Sequence, residues 1–513
     1  MDITYRPYID PDFEVLIERI HPPRVCIDND TYRDCTLVKV DSANKHGMLL
    51  EIVQVLTDLD LVISKSYISS DGGWLMDVFH VTDQQMNKIT DESLIRYIQE
   101  GICASRRAYR EIRPSIGKET MPTPMSIENT ALEMTGMDRP GLMSEMSAVL
   151  AELGCRVSAA MAWTHKSRAA CIIYMEDASN GEPITDPCRV AQVQAQLENV
   201  VEAHHYGDER RSVRLTAPAP GQTHTERRLH QLMVADGDYE MCCSCCSDND
   251  SDDDDVYGHG RHYKAKKKEC YGTHVKIEKC KETGYSIVTV RSQDRPKLLF
   301  DTVCTLTDMQ YIVFHAAISS KESIAVQEYY VKHKSGRSLD SDDEKHLVTR
   351  CLIAATERRI SHVCYRNLYF SPTGKQENLR IHNSTYMQGL RLDICTENRT
   401  GLLSDITRVL RENGLSITRA EIGTPGGRAV GTFYVKDTSG QNVDPETLET
   451  VRREIGSTVV VVNKSLSTPS RATSSRTSRS NSSEIQERPR FTLGSLLWSH
   501  LERISSNFKP IKS

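Results

Sequence analysis

Several features that mark whole classes of protein are missing from this chain of 513 residues. It has no apolar run long enough to cross a bilayer, and its first segment, MDITYRPYIDPDFEVLIERI, is charged along its length instead of apolar like a secretory signal. Its net charge of -6 gives no general attraction to nucleic acid or to anionic lipid. We therefore expect a cytoplasmic or nuclear protein that has no transmembrane segment and no nucleic acid among its partners.

The sequence motifs of several enzyme classes are missing as well. No GxGxxG or GxxxxGK[ST] loop is available to hold phosphate, and no GxSxG elbow presents a nucleophilic serine. None of the 17 histidines is followed by the aspartate that an HD phosphohydrolase needs. We therefore predict that the protein is not an enzyme and that it has no catalytic residue and no cofactor.

Most of the 16 cysteines stand singly inside apolar segments, where a reduced cysteine behaves as a small hydrophobic residue. A reducing compartment also disfavours disulfides. The exception is CCSCC at Cys242, whose Cys243 and Cys246 have fair zinc spacing with His259 and His262. Aspartates lie between them and a matching cysteine pair is missing, so we predict no metal site. Surface palmitoylation of this segment, or no role at all, stays open as the alternative.

One pattern, in contrast, occurs four times. Each copy begins with Asn or Asp, continues with Lys or Arg, and has a helix-ending residue 16 positions after its first residue. The four copies, which superpose without a gap, are NKHGMLLEIVQVLTDLDLVISKSYIS from Asn44, DRPGLMSEMSAVLAELGCRVSAAMAW from Asp138, DRPKLLFDTVCTLTDMQYIVFHAAIS from Asp294 and NRTGLLSDITRVLRENGLSITRAEIG from Asn398. The helix-ending residues are Asp60, Gly154, Gln310 and Gly414. Repetition of this kind indicates one supersecondary unit used four times.

Each copy predicts the same order of elements. A β-type run precedes the turn, and apolar residues at helical spacing follow it, such as Ile52, Val55 and Leu59 in copy one. Two closely joined strands come next as an antiparallel hairpin, and a further helical segment follows a polar loop. In copy four, VVVVN at Val459 closes the unit as a last strand. The order β-α-β-β-α-β predicts an α+β protein of four tandem ferredoxin-like domains, each with both helices on one face of an antiparallel sheet.

The turn (N/D)(K/R)xG(L/M)L, placed between the first strand and the first helix of a βαββαβ unit, resembles that of the ACT domain, a regulatory module that binds amino acids. Four such units with no catalytic region attached resemble the plant ACT domain repeat (ACR) proteins. Copy three departs from the pattern. Lys297 stands where the other copies have Gly47, Gly141 and Gly401.

The copies and the composition between them predict the domain boundaries. Residues 1–33 form an N-terminal extension, 34–115, 127–216, 272–367 and 388–464 form ACT domains one to four, 217–271 form an insertion, 465–490 form a linker and 491–513 form an amphipathic helix. The insertion carries CCSCC, an acidic run and the basic stretch RHYKAKKK, and the linker is rich in Ser and Arg. Both compositions are typical of disordered segments because they offer little apolar surface to bury.

The strongest candidate site is the turn itself. A glycine at the start of the helix leaves backbone N–H groups accessible, where unpaired donors and the helix dipole favour a carboxylate. The Asn or Asp of the turn is predicted to accept a hydrogen bond from the ligand's ammonium group. The predicted amino-acid-binding residues are Asn44, Gly47, Met48, Asp138, Gly141, Leu142, Asn398, Gly401 and Leu402. The alternative is that the Asn or Asp only forms an Asx turn, and we prefer it for copy three because Lys297 obstructs the approach.

The resemblance implies a non-enzymatic amino-acid sensor whose four ACT domains pair within the chain, either edge to edge or through their helices. ACT domains hold their ligand at this turn and against a strand of a paired domain. Glutamine is the first candidate ligand, since a bacterial uridylyltransferase that senses glutamine carries similar ACT domains. The alternative is an interaction scaffold whose ACT domains have lost their ligands. An unidentified protein partner is expected to bind through the insertion or the tail.

Overall fold

A computed structural model describes the chain over residues 23–43, 47–71, 74–104, 129–203, 210–216, 224–240, 272–280, 284–321, 323–359, 390–424, 427–438, 443–456 and 459–462. Several predictions lie outside these described residues. They concern Asn44, the zinc candidates Cys243, Cys246, His259 and His262, the linker 465–490 and the terminal helix 491–513. No helix within the described ranges is both long enough and apolar enough to span a membrane.

The described helices and strands follow the four copies in chain order. Copy one contains β1 (Arg24–Asp28), β2 (Thr36–Ala43), α1 (Met48–Asp58), β3 (Val62–Asp71), β4 (Trp74–Thr82) and α2 (Glu92–Ala104). Copy two contains β5 (Thr130–Met137), α3 (Leu142–Glu152), β6 (Cys155–His165), β7 (Arg168–Asp177), α4 (Pro187–Glu202) and β8 (Ser212–Thr216), and is followed by α5 (Thr225–Asp236) and a 3-10 turn (Asp238–Glu240). Copy three contains β9 (His274–Lys279), β10 (Ser286–Gln293), α6 (Leu298–Asp308), β11 (Tyr311–Lys321), β12 (Ile324–His333) and α7 (Asp342–Glu357). Copy four contains β13 (Leu390–Glu397), α8 (Leu402–Glu412), β14 (Leu415–Gly423), β15 (Arg428–Asp437), α9 (Pro445–Ile455) and β16 (Val459–Val462).

The described residues divide into two compact units. The first unit contains residues 23–104 and 230–359, and therefore copies one and three. The second unit contains residues 129–229 and 390–462, and therefore copies two and four. Copy one thus pairs with copy three, and copy two pairs with copy four.

Within each unit, the two copies join edge to edge in one antiparallel sheet of eight strands. The strand orders are β1-β2-β4-β3-β11-β12-β10-β9 in the first unit and β16-β13-β15-β14-β6-β7-β5-β8 in the second. At the junctions, Tyr67 of β3 lies opposite Ala317 of β11, and Met161 of β6 lies opposite Glu421 of β14. The helices meet as well, α1 with α6 and α3 with α8. Both predicted modes of pairing are therefore used together.

Each unit has one continuous apolar core that its two copies share. In the second unit, Leu150 of α3 and Leu410 of α8 occupy equivalent places in the repeated pattern, and both are completely buried. Full burial of such a side chain contributes roughly 1.5–3 kcal/mol relative to leaving it exposed. Pairing of the copies therefore buries apolar surface that a single copy would leave in water.

The prediction of β-α-β-β-α-β holds for copies two and four and is wrong for copies one and three. In these two copies the edge strand precedes the unit, so the order is β-β-α-β-β-α. Strand β1 pairs antiparallel with β2, just as β8 pairs with β5. The predicted N-terminal extension 1–33 therefore contains part of copy one. The edge position requires only a strand that pairs antiparallel with the first strand of the unit. That strand can come before the unit, as one arm of a hairpin, or after the last helix. The segment RVCID is too short for the sequence to show which of the two applies.

All four copies bend the strand after their first helix at the same place. A register shift interrupts the pairing between Ile63 and Lys65, and equivalent shifts occur in β6, β11 and β14. Three of the bulged residues carry a hydroxyl that donates to a carbonyl across the hairpin. These bonds join Ser64 to His80, Ser158 to Tyr174 and Thr418 to Tyr434. A bulge re-aims the strand locally, and here it lies beside the edge that joins the two copies.

The predicted disorder of the insertion is wrong for residues 224–240. Helix α5 and the 3-10 turn lie in this segment, and Leu229 and Met233 of the helix are buried. The two apolar side chains follow helical spacing, but the aspartates and lysines further along the insertion dominated the composition. The polar composition of the whole insertion therefore did not indicate the short ordered segment within it.

Charged side chains hold the end of this segment in the first unit. Asp238 of the 3-10 turn and Arg358 form two hydrogen bonds of 2.6 and 2.7 Å, and both side chains are 0 % exposed. Arg358 also donates to Nδ1 of His230 over 2.8 Å. Because a guanidinium can only donate, the proton of His230 lies on Nε2, which donates to Asp301 over 2.7 Å.

Asp301 is the second carboxylate of this buried network. Arg295 and Arg359 approach it at 2.8 and 2.7 Å. Burial alone raises the pKa of Asp301, but Arg359 and Arg295 outweigh this effect and hold the pKa well below its usual range. Burial lowers the pKa of His230, and Asp301 offsets only part of that change. The network therefore keeps a neutral histidine between an ionised aspartate and an arginine.

Candidate functional site

The turn before the first helix has the same conformation in all four copies. The residue at the helix start lies in the left-handed region, with φ of 88° at Gly47, 88° at Gly141, 65° at Lys297 and 80° at Gly401. No side chain caps any of these helices. In copies two and four, the N–H groups that follow the first helical residue are therefore available to a carboxylate. The helix-ending residues Asp60, Gly154, Gln310 and Gly414 are left-handed too, which confirms that prediction.

The basic residue of the motif braces this turn against the helix. Arg139 donates two hydrogen bonds to Glu145, of 2.9 and 2.5 Å, and Arg399 donates one to Asp405 at the equivalent position. Sequence reasoning missed this partner. The signal was present, because each copy has an acid seven residues after the first residue of the motif. The four acids are Glu51, Glu145, Asp301 and Asp405. The arginines are therefore committed to the turn itself.

In copy two the turn opens into a pocket, here called the copy-two pocket. Its empty volume is about 460 Å³, which includes space open to solvent. Asp138, Gly141 and Leu142 line one side, and strand β6 contributes Trp163 and Thr164. Copy four supplies the opposite wall with residues of α8 and β14, which are Thr407, Arg411, Leu415, Ser416, Ile417 and Thr418. The structure thus brings the predicted residues of one copy against a helix and a strand of its partner.

Copy four forms the equivalent copy-four pocket, with an empty volume of about 550 Å³ that likewise includes space open to solvent. Asn398, Gly401 and Leu402 lie on one side of it. Residues of α3 and β6 from copy two close the other side, and these are Ser147, Leu150, Ala151, Cys155 and Val157. The remainder of its lining is largely apolar and includes Ile394 and Phe433.

The two pockets lie on either side of a local two-fold arrangement. Ser147 and Thr407, which are 260 residues apart and equivalent in the pattern, share a hydrogen bond of 2.8 Å between α3 and α8. Thr424 donates to the carbonyl of Ser158 over 2.9 Å, and Thr164 makes the equivalent bond to Thr418 over 3.3 Å. Contacts between the copies therefore define the walls of both pockets.

The predicted residues contribute in different ways. Met48, Leu142 and Leu402 are the first helical residues of their copies, and their side chains pack in or against the cores. The N–H groups of Leu142 and Leu402 donate to the carbonyls of Arg139 and Arg399 over 3.2 Å, so these residues set the start of the helix and leave a ligand the N–H groups that follow. Gly47 is left-handed like Gly141 and Gly401, and its partner in the motif, Asn44, lies outside the described residues.

Asp138 and Asn398 have side chains available for a ligand. Both residues are half-buried, and within the described part of the chain neither side chain forms a hydrogen bond. Their backbone N–H groups donate to the carbonyls of Ser167 and Gly427, respectively. Burial raises the pKa of Asp138 to about 6, and Lys436 offsets only part of this effect. The carboxylate therefore lies where a ligand's ammonium group would favour its ionised form.

The raised pKa of Asp138 leads to a test without any ligand. The unfolded carboxyl ionises at a pKa near 3.8, whereas the folded one holds its proton until about pH 6. Stability is therefore lost as the pH rises from about 4 to 6, and the loss is constant above that range. We expect Asp138→Asn to increase the unfolding free energy of the second unit by roughly 2–3 kcal/mol at pH 8.

Urea denaturation, followed by hydrogen exchange in β5 and β6, measures this difference. At pH 4 the folded carboxyl is protonated and the unfolded one is about half ionised, so variant and wild type should differ by less than about 1 kcal/mol there. A gain of the same size at pH 4 and pH 8 would contradict the electrostatic explanation.

Among the described residues, no three His, Cys, Asp or Glu side chains are grouped so that they would hold a metal ion. The described cysteines are free thiols, and burial raises the pKa of Cys155 in the copy-four pocket to about 11.

Comparison with known proteins agrees with this geometry. Residues 31–109 match the ACR family N-terminal ACT domain, and residues 391–456 match the ACT domain. The chain is similar to ACT domain-containing protein ACR1 of Arabidopsis thaliana, with 48% identity over 100% of both chains. It is also similar to ACT domain-containing protein ACR2 of the same plant, with 44% identity over 99% of both chains.

These full-length similarities define the class of protein as ACT domain-containing regulatory proteins with an α+β fold. The chain belongs to the ACT domain-containing ACR family. Among solved structures, the chain also matches the crystal structure of an unknown protein from Galdieria sulphuraria, with 16% sequence identity and a TM-score of 0.14. The match covers 36% of this chain and 97% of that protein. Neither of the two Arabidopsis proteins is named as an enzyme.

Proposed function

We propose that this protein is a non-enzymatic amino-acid sensor built from four ACT domains, one in each copy of the repeated pattern. One observation supports the proposal most. In the second unit, an uncapped helix start and a side chain without a hydrogen bond, Asp138 or Asn398, face a wall that the other copy supplies. A free amino acid carries the two charges that such a site would bind.

The sensor would work by shifting a population. A ligand in either pocket contacts copies two and four together, and it therefore favours the arrangement in which they are paired. The two pockets share the contact between Ser147 and Thr407, so occupation of one is expected to influence the other. A protein partner would then bind one arrangement of copies two and four in preference to the other. We place the protein in the cytoplasm or nucleus.

Glutamine is the first ligand to test, and the interaction scaffold is the alternative function. The scaffold would keep the same paired fold and would have pockets that bind no amino acid. Both functions are consistent with the acidic and basic runs of the insertion, which suit a protein partner. The pockets of the second unit favour the sensor.

A thermal-shift screen of the full chain against the twenty free amino acids tests the proposal. At a concentration one hundred times its dissociation constant, a ligand should stabilise the second unit by about 2.7 kcal/mol and raise its melting temperature. We expect at least one amino acid to do so at millimolar concentration. If none of the twenty moves the transition, the sensor is wrong and the scaffold is preferred.

A matched pair of variants locates the effect. The double variant Asp138→Ala, Asn398→Ala should lose the ligand-dependent shift, because it removes the acceptor for the ammonium group from both pockets. Glu152→Ala changes an exposed acid on α3 that lines neither pocket and should keep the shift. An undiminished shift in the double variant would mean that the ligand binds elsewhere.

A further inference from the structure

The two pockets of the second unit differ in charge although their backbones are equivalent. Asp138 of the copy-two pocket corresponds to Asn398 of the copy-four pocket. Arg411, which lies on α8 in the copy-two pocket, corresponds to Ala151 on α3 in the copy-four pocket. The repeat thus provides a comparison within one chain, in which the fold is constant and these two positions change the charge of the pocket.

Arg411 has the properties of a ligand-binding residue. It is exposed, and within the described residues its guanidinium forms no hydrogen bond and no ion pair. Its Cδ lies only 3.0 Å from the position that a Cβ would occupy at Gly141, so the arginine of copy four lies directly over the turn of copy two. Gly141 leaves the space that this approach requires.

The neighbouring basic residue of the turn is already occupied. Arg139 is held by Glu145 and donates to the carbonyl of Val200 over 3.2 Å. In the copy-four pocket, Arg399 is paired with Asp405 and Ala151 offers no charge. Arg411 is therefore the arginine of the copy-two pocket that remains for a ligand, and the copy-four pocket has no equivalent of it.

An amino acid in the copy-two pocket would have its charged main-chain groups bound by the turn. Its α-carboxylate would lie at the N–H groups of α3, and its ammonium group would lie at Asp138. Arg411 reaches the same space from the opposite copy and would face the side chain. A guanidinium binds a carboxylate through two parallel hydrogen bonds between opposite charges. The side-chain amide of glutamine is uncharged and therefore binds a guanidinium more weakly.

Resting on the proposed function, we propose that Arg411 is the specificity-determining residue of the copy-two pocket and selects an amino acid with an acidic side chain. The copy-four pocket, lined by Ala151, Cys155 and Val157, takes an amino acid with an uncharged side chain. The second unit then responds to two ligands of different chemistry. The charge of Arg411 would make the affinity for an acidic amino acid higher than that for an uncharged one of similar size, and this difference in affinity is the selectivity.

Binding of L-glutamate, L-glutamine and L-leucine to the full chain tests this inference. The fluorescence of Trp163, which lines the copy-two pocket, reports its occupation once Trp74 and Trp498 are replaced by phenylalanine. We expect glutamate to bind at least about tenfold more tightly than glutamine by this signal. Arg411→Gln should weaken glutamate by about ten- to a hundredfold and glutamine by less than about threefold.

The reciprocal variant uses the repeat as its control. Ala151→Arg should give the copy-four pocket a preference for glutamate, so that calorimetry shows a second glutamate site. Arg411→Gln should melt at the wild-type temperature without ligand, because the exposed guanidinium has no ion pair within the described residues. A lower melting temperature would show that Arg411 has a structural role and would contradict the inference.

The outcomes separate this inference from the function on which it rests. If Arg411→Gln weakens glutamate, glutamine and leucine equally, Arg411 binds the α-carboxylate and the inference about specificity is wrong while the sensor stands. If glutamate loses no affinity, Arg411 does not select the ligand. If none of the three ligands, nor any other amino acid, binds the unsubstituted chain, the proposed function fails and this inference fails with it.

Discussion

Replacing Asp238 by alanine is expected to lower the unfolding free energy of the first unit by roughly 3–5 kcal/mol, since the substitution leaves Arg358 as a buried charge without its acid. Both side chains are 0 % exposed, and the pair is joined by two hydrogen bonds. Water cannot reach the guanidinium to replace the lost carboxylate. Urea denaturation with hydrogen exchange in α6 and α7 measures the loss.

Two further variants make this prediction specific. Asp342 pairs with Lys345 over 3.2 Å, but its side chain is 87% exposed, so Asp342→Ala should cost less than about 1 kcal/mol. The double variant Asp238→Ala, Arg358→Met removes both charges and should be more stable than the single variant Asp238→Ala. If Asp238→Ala and Asp342→Ala cost the same, the buried pair is not what holds the segment in place.

The second expected result concerns the insertion, of which one part is structural and the other is dispensable. Deletion of residues 230–240 should destabilise the first unit by at least as much as Asp238→Ala. It removes buried Met233 and both partners of Arg358, and it takes His230 away from Asp301. Replacement of residues 241–271 by about fifteen Gly and Ser residues should change stability by less than about 1 kcal/mol, because closure entropy depends weakly on loop length.

Amide hydrogen exchange across α6 and α7 compares the two deletions. Protection should be lost in the first deletion and retained in the second. The composition predicts disorder throughout residues 217–271, and the structure excludes residues 224–240 from that prediction. Loss of protection on replacing 241–271 would mean that this stretch packs on the unit, and it would favour a zinc site at Cys243, Cys246, His259 and His262 over the prediction that no metal is bound there.

Much of the local structure was determined by the sequence. The left-handed turn at Gly47, Gly141 and Gly401 and the helix ends depend on a few consecutive residues, and four independent copies show the same pattern. Lys297 adopts the same conformation without glycine, although a side chain costs about 1–2 kcal/mol there. The motif describes a local backbone requirement, and for this reason it survives even where its glycine is replaced.

Other features were decided by tertiary structure. A sheet edge pairs with whichever strand fits its hydrogen-bonding groups, and nothing in the repeated pattern tells copy one to pair with copy three instead of copy two. The same holds for the edge strand β1, which lies before its unit. It also holds for α5, because the aspartate and arginine partners of His230 are 71 and 128 residues away in sequence.

The candidate site divides in the same way. Its turn residues were readable because a short motif sets their backbone. Its selectivity was not, because Arg411 reaches the turn of Asp138 from a different copy, 270 residues beyond Gly141. The pKa of Asp138 is also set by burial that arises only when the sheet and helices of the second unit assemble. Local conformation therefore follows from neighbouring residues, whereas charge complementarity in the pocket follows from long-range packing, which no single copy of the pattern contains.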